Sequence, residues 1–175
     1  FSDNALVGTS YRDVLSRNLS NTTDFNLDYL RTFKPGQEWS VSSLYSISNL
    51  TNNFDASILN ASNELTNRQR NLNGNTNSEL TLQTDYVHPL KNKQQMEIGV
   101  KGILREVNSD CAYQLAGTSG LFATDVRSPS GYLNYQQNIA AGYLTYTFST
   151  ANKYTFKVGA RYEYTTITAS DQLGT

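Results

Sequence analysis

The feature of this chain that most restricts its fold is a repeated alternation of apolar and polar side chains. The clearest stretch runs from Gln94 to Arg105, where apolar residues take every second position and Glu97 and Lys101 lie between them. The stretch from Tyr154 to Thr168 repeats this pattern. Because successive side chains of a β-strand point to opposite faces of the sheet, the alternation predicts strands with one apolar and one polar face.

Other stretches follow the same rule, at residues 25–33, 39–48, 79–86 and 143–148, and a weaker one occupies residues 5–15. Leu44 and Ile103 are single apolar interruptions on the polar parity. No segment shows a sustained helical period. We therefore expect an all-β chain of about seven strands, each long enough, when tilted, to cross roughly 25 Å of membrane hydrocarbon.

The connections between these stretches alternate in length. Lys34 to Gln37, Pro89 to Asn92 and Thr150 to Asn152 are short and contain turn residues, whereas residues 51–76 and 109–132 are long and polar. Connections of that length without structure of their own are uncommon in compact soluble domains. The order predicts an antiparallel up-and-down meander, a fragment of a transmembrane β-barrel with short periplasmic turns and long external loops.

A soluble secreted β-sandwich with adhesive or carbohydrate-binding loops would show the same alternation, because its apolar face would pack on a second sheet. The aromatic residues favour the membrane alternative. Phe33, Trp39, Phe148 and Tyr154 flank the short turns, where amphipathic rings would meet a membrane–water boundary. The sandwich nevertheless stays open on the alternation alone.

Composition excludes several function classes. Only 17% of the residues are charged and the net charge is -1, so the chain offers no basic surface for nucleic acid. A single Cys excludes an internal disulfide, and a single His argues against a His-based catalytic or zinc site. No phosphate-binding loop, dinucleotide fingerprint or zinc-protease motif is present. We expect no enzyme activity, no cofactor, no metal ion and no catalytic residue.

Several stretches are similar to a known family. The chain resembles the barrel region of TonB-dependent receptor-like outer-membrane proteins of Bacteroidetes, strongly over residues 79–168 and plausibly back to residue 24. The resemblance is carried by Asp85-Tyr86-Val87-His88-Pro89-Leu90 followed by Met96-Glu97-Ile98-Gly99-Val100-Lys101, by Tyr135-Gln136-Gln137-Asn138-Ile139-Ala140-Ala141-Gly142-Tyr143, and by Val158-Gly159-Ala160-Arg161-Tyr162-Glu163-Tyr164-Thr165.

The resemblance implies a barrel of about 22 strands around an N-terminal plug. It also implies a place in the bacterial outer membrane and uptake of an extracellular nutrient energised by the TonB system. The chain begins at Phe1 without an initiator Met and shows neither a plug nor a TonB-contacting segment. We therefore expect residues 1–175 to be one segment of the barrel domain of a longer protein. Its partners would be lipid, the rest of the barrel, the plug and an unidentified nutrient. Alone, the fragment is expected to self-associate through its edge strands.

Few residues stand out as candidates for a site. His88 and the lone Cys111, placed at the start of a long loop, have no recognisable partners, so we interpret both as structural. The predicted lumen face carries mixed charges, which either line a cavity around a plug or keep a wet wall soluble and in register. These are Glu97, Lys101, Arg105, Lys157, Arg161 and Glu163. In the predicted loops, Tyr113, Phe122 and Tyr132 are candidates for contact with an external ligand.

Overall fold

Every regular element in the part of the chain that the structure describes is a β-strand, as the alternation predicts. The structure is a computed structural model and describes residues 9–92, 94–118, 120–125, 130–150 and 154–173. The strands are β1 (Tyr11–Lys34), β2 (Gln37–Leu59), β3 (Leu65–Pro89), β4 (Gln95–Ala116), β5 (Ala123–Thr124), β6 (Gly131–Ser149) and β7 (Thr155–Leu173). In those ranges no helix is long and apolar enough to cross a membrane.

The strands form one antiparallel sheet in the order β1-β2-β3-β4-β6-β7, and the short β5 pairs with the end of β4. This order confirms the predicted up-and-down meander. The strand count of seven is also confirmed, although its make-up differs. The stretches predicted at residues 5–15 and 25–33 are not separate strands, because β1 runs unbroken through residues 11–34. Residues 5–8 lie outside the described part.

The polar stretch at 51–76, predicted as a loop, is instead the upper half of a long hairpin. β2 continues to Leu59 and β3 starts at Leu65. Asn60 shapes the tip, since its side-chain Oδ1 accepts from the backbone N–H groups of Ser62 at 3.0 Å and Glu64 at 2.9 Å. Asn63 takes a left-handed conformation with φ 65°, which Asn tolerates. The prediction was wrong because strands that project into water need no apolar face.

The second predicted loop, at residues 109–132, is also shorter than expected. β4 extends to Ala116, and β6 begins at Gly131, opposite Cys111. Between them lies β5, which pairs with Gln114 and Leu115. Positions 119 and 126–129 lie outside the described residues. The described part of this connection therefore includes a short strand that pairs with β4.

The predicted short turns all lie at the opposite end of the sheet. In the first, Pro35 precedes Gly36, whose φ of +76° fits the third residue of a type II turn. In the second, the backbone N–H of Leu90 donates to the carbonyl of Gln94 at 2.8 Å. In the third, Thr150 bonds to Tyr154 in the same way at 2.8 Å, while residues 151–153 lie outside the described part.

The sheet is a single layer without a conventional core. Among the described residues, the buried hydrophobic side chains are only Ala56, Ala116 and Ala141, and no large side chain is fully buried. A β-sandwich would need a second sheet packed on the apolar face. All of the long strands belong to one sheet, and its apolar side chains are exposed. The described residues therefore do not have the sandwich architecture.

Candidate functional site

The register of the strands joins their apolar positions into one continuous belt on one side of the sheet. Tyr86, Ile98 and Leu144, for example, are cross-strand neighbours in a single row. On β4 the belt runs from Met96 to Leu104, about 27 Å at roughly 3.4 Å per residue. The apolar belt consists of Phe25, Leu27, Tyr29, Trp39, Val41, Tyr45, Ile47, Leu80, Leu82, Tyr86, Met96, Ile98, Val100, Leu104, Leu144, Tyr146, Phe148, Phe156, Val158, Tyr162 and Tyr164.

The opposite side, the polar face, holds a contact that spans three strands. Asp85, Gly99 and Tyr143 lie opposite one another on β3, β4 and β6. The Tyr143 hydroxyl donates a hydrogen bond to Asp85 Oδ1 across the intervening glycine. A Cβ atom at Gly99 would overlap both Asp85 Oδ1 and the Tyr143 ring. Gln83 Nε2 donates to the second Asp85 oxygen at 2.8 Å, so both carboxylate oxygens are hydrogen-bonded.

Arg105 on β4 lies directly opposite Glu79 on β3 and forms the central ion pair of the polar face. Its Nε donates to Glu79 Oε2 at 2.8 Å, and its Nη1 donates to Gln137 Oε1 on β6 at 3.1 Å. Arg105 was one of the charges predicted on the lumen face, whereas Glu79 and Gln137 were not singled out. Their polar parity was visible in the sequence, but the pairing across strands was not.

Most of the other predicted charges on this face are also paired. Lys157 Nζ lies 3.1 Å from Glu97 Oε2, diagonally across β6, and Arg161 Nη2 lies 2.8 Å from Glu163 Oε2 on the same strand. Lys101 differs, because no carboxylate of the described residues lies within ion-pair distance of it. Within the described residues, Lys101 therefore remains available to another group.

Lys101 borders a shallow polar depression of about 420 Å³. Gln83, Tyr143, Thr145 and Arg161 also line it. The lining supplies amide, hydroxyl, ammonium and guanidinium groups, which suit a polar or anionic group placed against the wall. No cluster of three or more His, Cys, Asp or Glu side chains with metal-binding geometry occurs in the described ranges.

Comparison with known proteins decides the class of this sheet. The model of the Outer membrane protein beta-barrel family matches residues 30–174, most of the chain. The chain belongs to this family. No curated protein matches the chain.

Membership of the outer-membrane β-barrel family places the chain in the bacterial outer membrane and orients its two faces. In such barrels the apolar side meets lipid and the polar side faces the lumen. The apolar belt of this barrel segment therefore contacts lipid hydrocarbon, and the polar face is the inner wall. The short turns then correspond to the periplasmic end and the tall hairpin to the external end.

Aromatic rings concentrate on the lipid side near the short turns of this barrel segment. Tyr29 and Trp39 meet edge to face at 5.8 Å between ring centroids, and Phe148 stacks on Phe156 at 5.5 Å. The Trp39 indole N–H donates to Thr84 Oγ1 at 2.8 Å. Amphipathic rings of this kind favour the membrane–water boundary, in agreement with the predicted aromatic girdle.

His88 lies within that girdle, near the last residue of β3. Its Nδ1 lies 3.3 Å from the Tyr86 hydroxyl, and the two rings stack at 6.0 Å. Gln37 Nε2 donates to the same hydroxyl at 2.5 Å. These neighbours are girdle and turn residues, and no carboxylate within the described residues forms an ion pair with His88. His88 is therefore surrounded by girdle and turn side chains at the periplasmic boundary.

The three aromatic residues predicted to share an external loop do not come together. Tyr113 belongs to β4 and packs on the Phe54 ring of the inner wall at 6.5 Å. Phe122 lies on the outer face of the sheet, where the guanidinium of Arg70 is 4.2 Å from its ring centroid. Tyr132 belongs to β6 and bonds to an outer-face neighbour on β4. Of the three, Tyr113 is the one positioned to meet a molecule inside the barrel.

Cys111 was predicted at the start of a loop, but it lies within β4 and pairs with Asn73 and Gly131. Its thiol is half-buried, 3.5 Å from Asn71 Oδ1. The thiol therefore forms part of the inner wall near its external end, beside side chains that are amides.

Proposed function

We propose that this chain forms part of the barrel wall of a TonB-dependent receptor of the Bacteroidetes type. Such a receptor binds an extracellular nutrient and passes it inward through the lumen. The observation that carries the proposal is an inner wall whose polar side chains extend across every long strand of an unclosed sheet. Because β1 and β7 pair with β2 and β6 but not with each other, closure needs further strands. Large barrels leave a lumen that a plug and a ligand can occupy.

In this proposal the chain performs no covalent chemistry and is not an enzyme. Its lipid belt fixes it in the membrane, its inner wall holds a plug domain of the parent protein, and its tall hairpins guide the nutrient. Lys101 and the depression beside it are suited to receive a carboxylate of the plug, since opposite charges on facing surfaces fix register and orientation.

The test uses the full-length parent protein in its own bacterium. Its energised uptake should disappear when the TonB protein is deleted, while ligand binding to the outer membrane should persist. The protein itself should fractionate with outer membranes and show heat-modifiable mobility on detergent gels. Uptake that continues unchanged without TonB would identify a passive pore and contradict the proposal.

The plug contact has its own test in the same protein. Reversing the charge with Lys101→Glu should weaken retention of the plug, measured as faster proteolysis of the plug in purified protein. Lys157→Glu is a less informative substitution because Lys157 is already paired with Glu97. A Lys101→Gln variant serves as the neutral control. Unchanged plug proteolysis in Lys101→Glu would remove Lys101 from the contact.

A further inference from the structure

Beyond the apolar belt, towards the external end, β3 carries a row of four amide side chains on the inner wall. Asn71, Asn73, Asn75 and Asn77 occupy alternate positions and continue the parity of Glu79. We call these four residues the amide ladder. All four lie on the face of the hairpin that is directed towards the space above the lumen.

The amide ladder leaves much of its hydrogen-bonding capacity unused. Asn75 Nδ2 donates to Asn73 Oδ1 at 3.1 Å, and the Cys111 thiol approaches Asn71 Oδ1 at 3.5 Å. Asn77 Oδ1 is buried and has no partner. Among the described residues, the side-chain NH₂ groups of Asn71, Asn73 and Asn77 and the Oδ1 atom of Asn75 also lack one. Since each amide both donates and accepts, the row matches a ligand rich in hydroxyl groups.

At the height of the amide ladder, the neighbouring strands β2, β4 and β6 carry no charge on the inner wall. At this height the described inner-face residues of β2, β4 and β6 contain no Asp, Glu, Lys or Arg. They are Ser48, Leu50, Asn52, Phe54, Val107, Ser109, Cys111, Tyr113, Leu133 and Tyr135. The outer face of the same hairpin does carry charge, for example the Asp55–Arg70 ion pair at 2.7 Å. A charged ligand would therefore be desolvated here without a partner, which is costly.

Charges near the ladder are confined to its margins. On β1, Arg12 donates to Gln69 Oε1 at 3.0 Å, and its guanidinium lies 5.9 Å from the Phe54 ring. On β7, Asp171 shares the inner parity beyond Leu133. Neither residue belongs to the inner wall between β2 and β6, where the rows from Asn71 to Asn77 are neutral and the Glu79–Arg105 ion pair lies one row below Asn77.

Aromatic rings flank the amide ladder at both of its ends. Phe54 on β2 and Tyr113 on β4 both lie opposite Asn71, with their ring centroids 6.5 Å apart. Tyr135 on β6 lies in the same row as Asn77, beyond Val107. Aromatic surface combined with a few polar groups is the usual make-up of a small-ligand site, and the C–H face of a sugar ring packs well on such rings.

We propose that the amide ladder, with Phe54, Tyr113 and Tyr135, forms a binding wall for an uncharged oligosaccharide. The inference rests on the proposed receptor function, because a nutrient entering the lumen would pass this wall. Sugar hydroxyls would satisfy the free amide groups, and the rings would cover the apolar faces of the sugar. Anionic chelates and acidic peptides bring charges for which the ladder rows of β2, β3, β4 and β6 have no charged partner.

The test measures equilibrium binding to the full-length protein purified from outer membranes in detergent. The probes are neutral hexasaccharides of glucose, xylose and mannose, together with the hexamer of galacturonic acid as an anionic match. The inner variant is Asn73→Val/Asn77→Val, and the matched outer variant is Asn21→Val/Asn49→Val, whose positions face each other on the opposite side of the sheet. Because valine favours strands, both variants should fold, which heat-modifiable mobility checks.

We expect at least one neutral hexasaccharide to bind, at least tenfold more weakly to the inner variant and unchanged to the outer one. Two overturning results are absence of neutral binding and equal binding by the inner variant. Tighter binding of the galacturonate hexamer would also overturn the inference. The measurement needs no energised membrane, so loss of TonB-dependent uptake and failure of this binding are separate results.

Discussion

Tyr143 on β6 is hydrogen-bonded to Asp85 on β3 although a complete strand lies between them. The phenol ring passes over Gly99 of β4, where no side chain blocks it. A ring that covers a glycine and reaches the next strand fixes the relative positions of three strands at once. This contact therefore pins the register of the inner wall at the height of the polar depression.

Adding a methyl group at Gly99 should break this arrangement. We expect Gly99→Ala to lower the free energy of unfolding by about 1–3 kcal/mol, the usual cost of overpacking. In a Tyr143→Ala background the same substitution should cost less than half as much, because the ring is gone and Asp85 is free to turn away. The four proteins of this double-mutant cycle are compared by urea unfolding of the full-length protein in vesicles. Equal costs in both backgrounds would refute the clash.

The assignment of the two faces predicts opposite responses to a new charge. Val100→Lys places an ammonium in lipid and should destabilise the folded barrel by about 2–4 kcal/mol. Ile103→Lys, three residues later on the inner wall, places the same charge in a wet lumen and should cost less than about 1 kcal/mol. Folding free energies in vesicles compare the two variants. A larger penalty at Ile103 would show that the faces have been assigned the wrong way round.

The Glu79–Arg105 pair should contribute little to stability because both side chains are about one third exposed. We expect Arg105→Ala to cost about 0.5–1 kcal/mol at low salt, and less at high salt, since exposed pairs are screened. The swapped variant Glu79→Arg/Arg105→Glu should recover most of the loss. If the swapped variant is no more stable than Arg105→Ala, the charge pair is not the source of the effect.

The orientation of the hairpins is testable in living cells. In a Cys111→Ser background, a thiol introduced by Ser62→Cys at the external tip should react with a membrane-impermeant maleimide. A thiol introduced by Lys91→Cys, in a short turn, should react only after the outer membrane has been permeabilised. Both side chains are exposed, so accessibility does not bias the comparison. If only the Lys91→Cys variant is labelled in intact cells, the assigned external and periplasmic ends are the wrong way round.

The faces of the strands could be predicted because a period of two leaves little freedom once the lipid side must be apolar. Met96 and Glu97 reveal their sides from the sequence alone. Residues 51–59 and 65–76 could not be assigned in the same way. The hairpin stands in water on both sides, so its two faces are polar and the alternation fades. The turn-forming Asn60 was present, but it resembled the many other amides around it.

The inner-wall contacts were predictable only in part. Arg105, Lys157 and Arg161 were found on the polar parity, yet the partner Glu79 and the bond between Tyr143 and Asp85 were missed. Pairing across strands depends on register, which is set by turns such as the one at Gly36 and by local irregularities such as the one between Thr32 and Lys34. The alternation within a single strand carries no information about these turns and irregularities, and so none about the register.

The meander also has a consequence for how the protein assembles. Each long strand pairs with the long strand that precedes or follows it in the chain, joined either by a short turn or by a connection confined to the hairpin end. The closing entropy of each step is therefore small, because no pairing must wait for a distant segment. Insertion can advance strand by strand through the sheet, with each new long strand templated by its neighbour in the chain. The free edge at which the sheet grows is then always the strand that was inserted last.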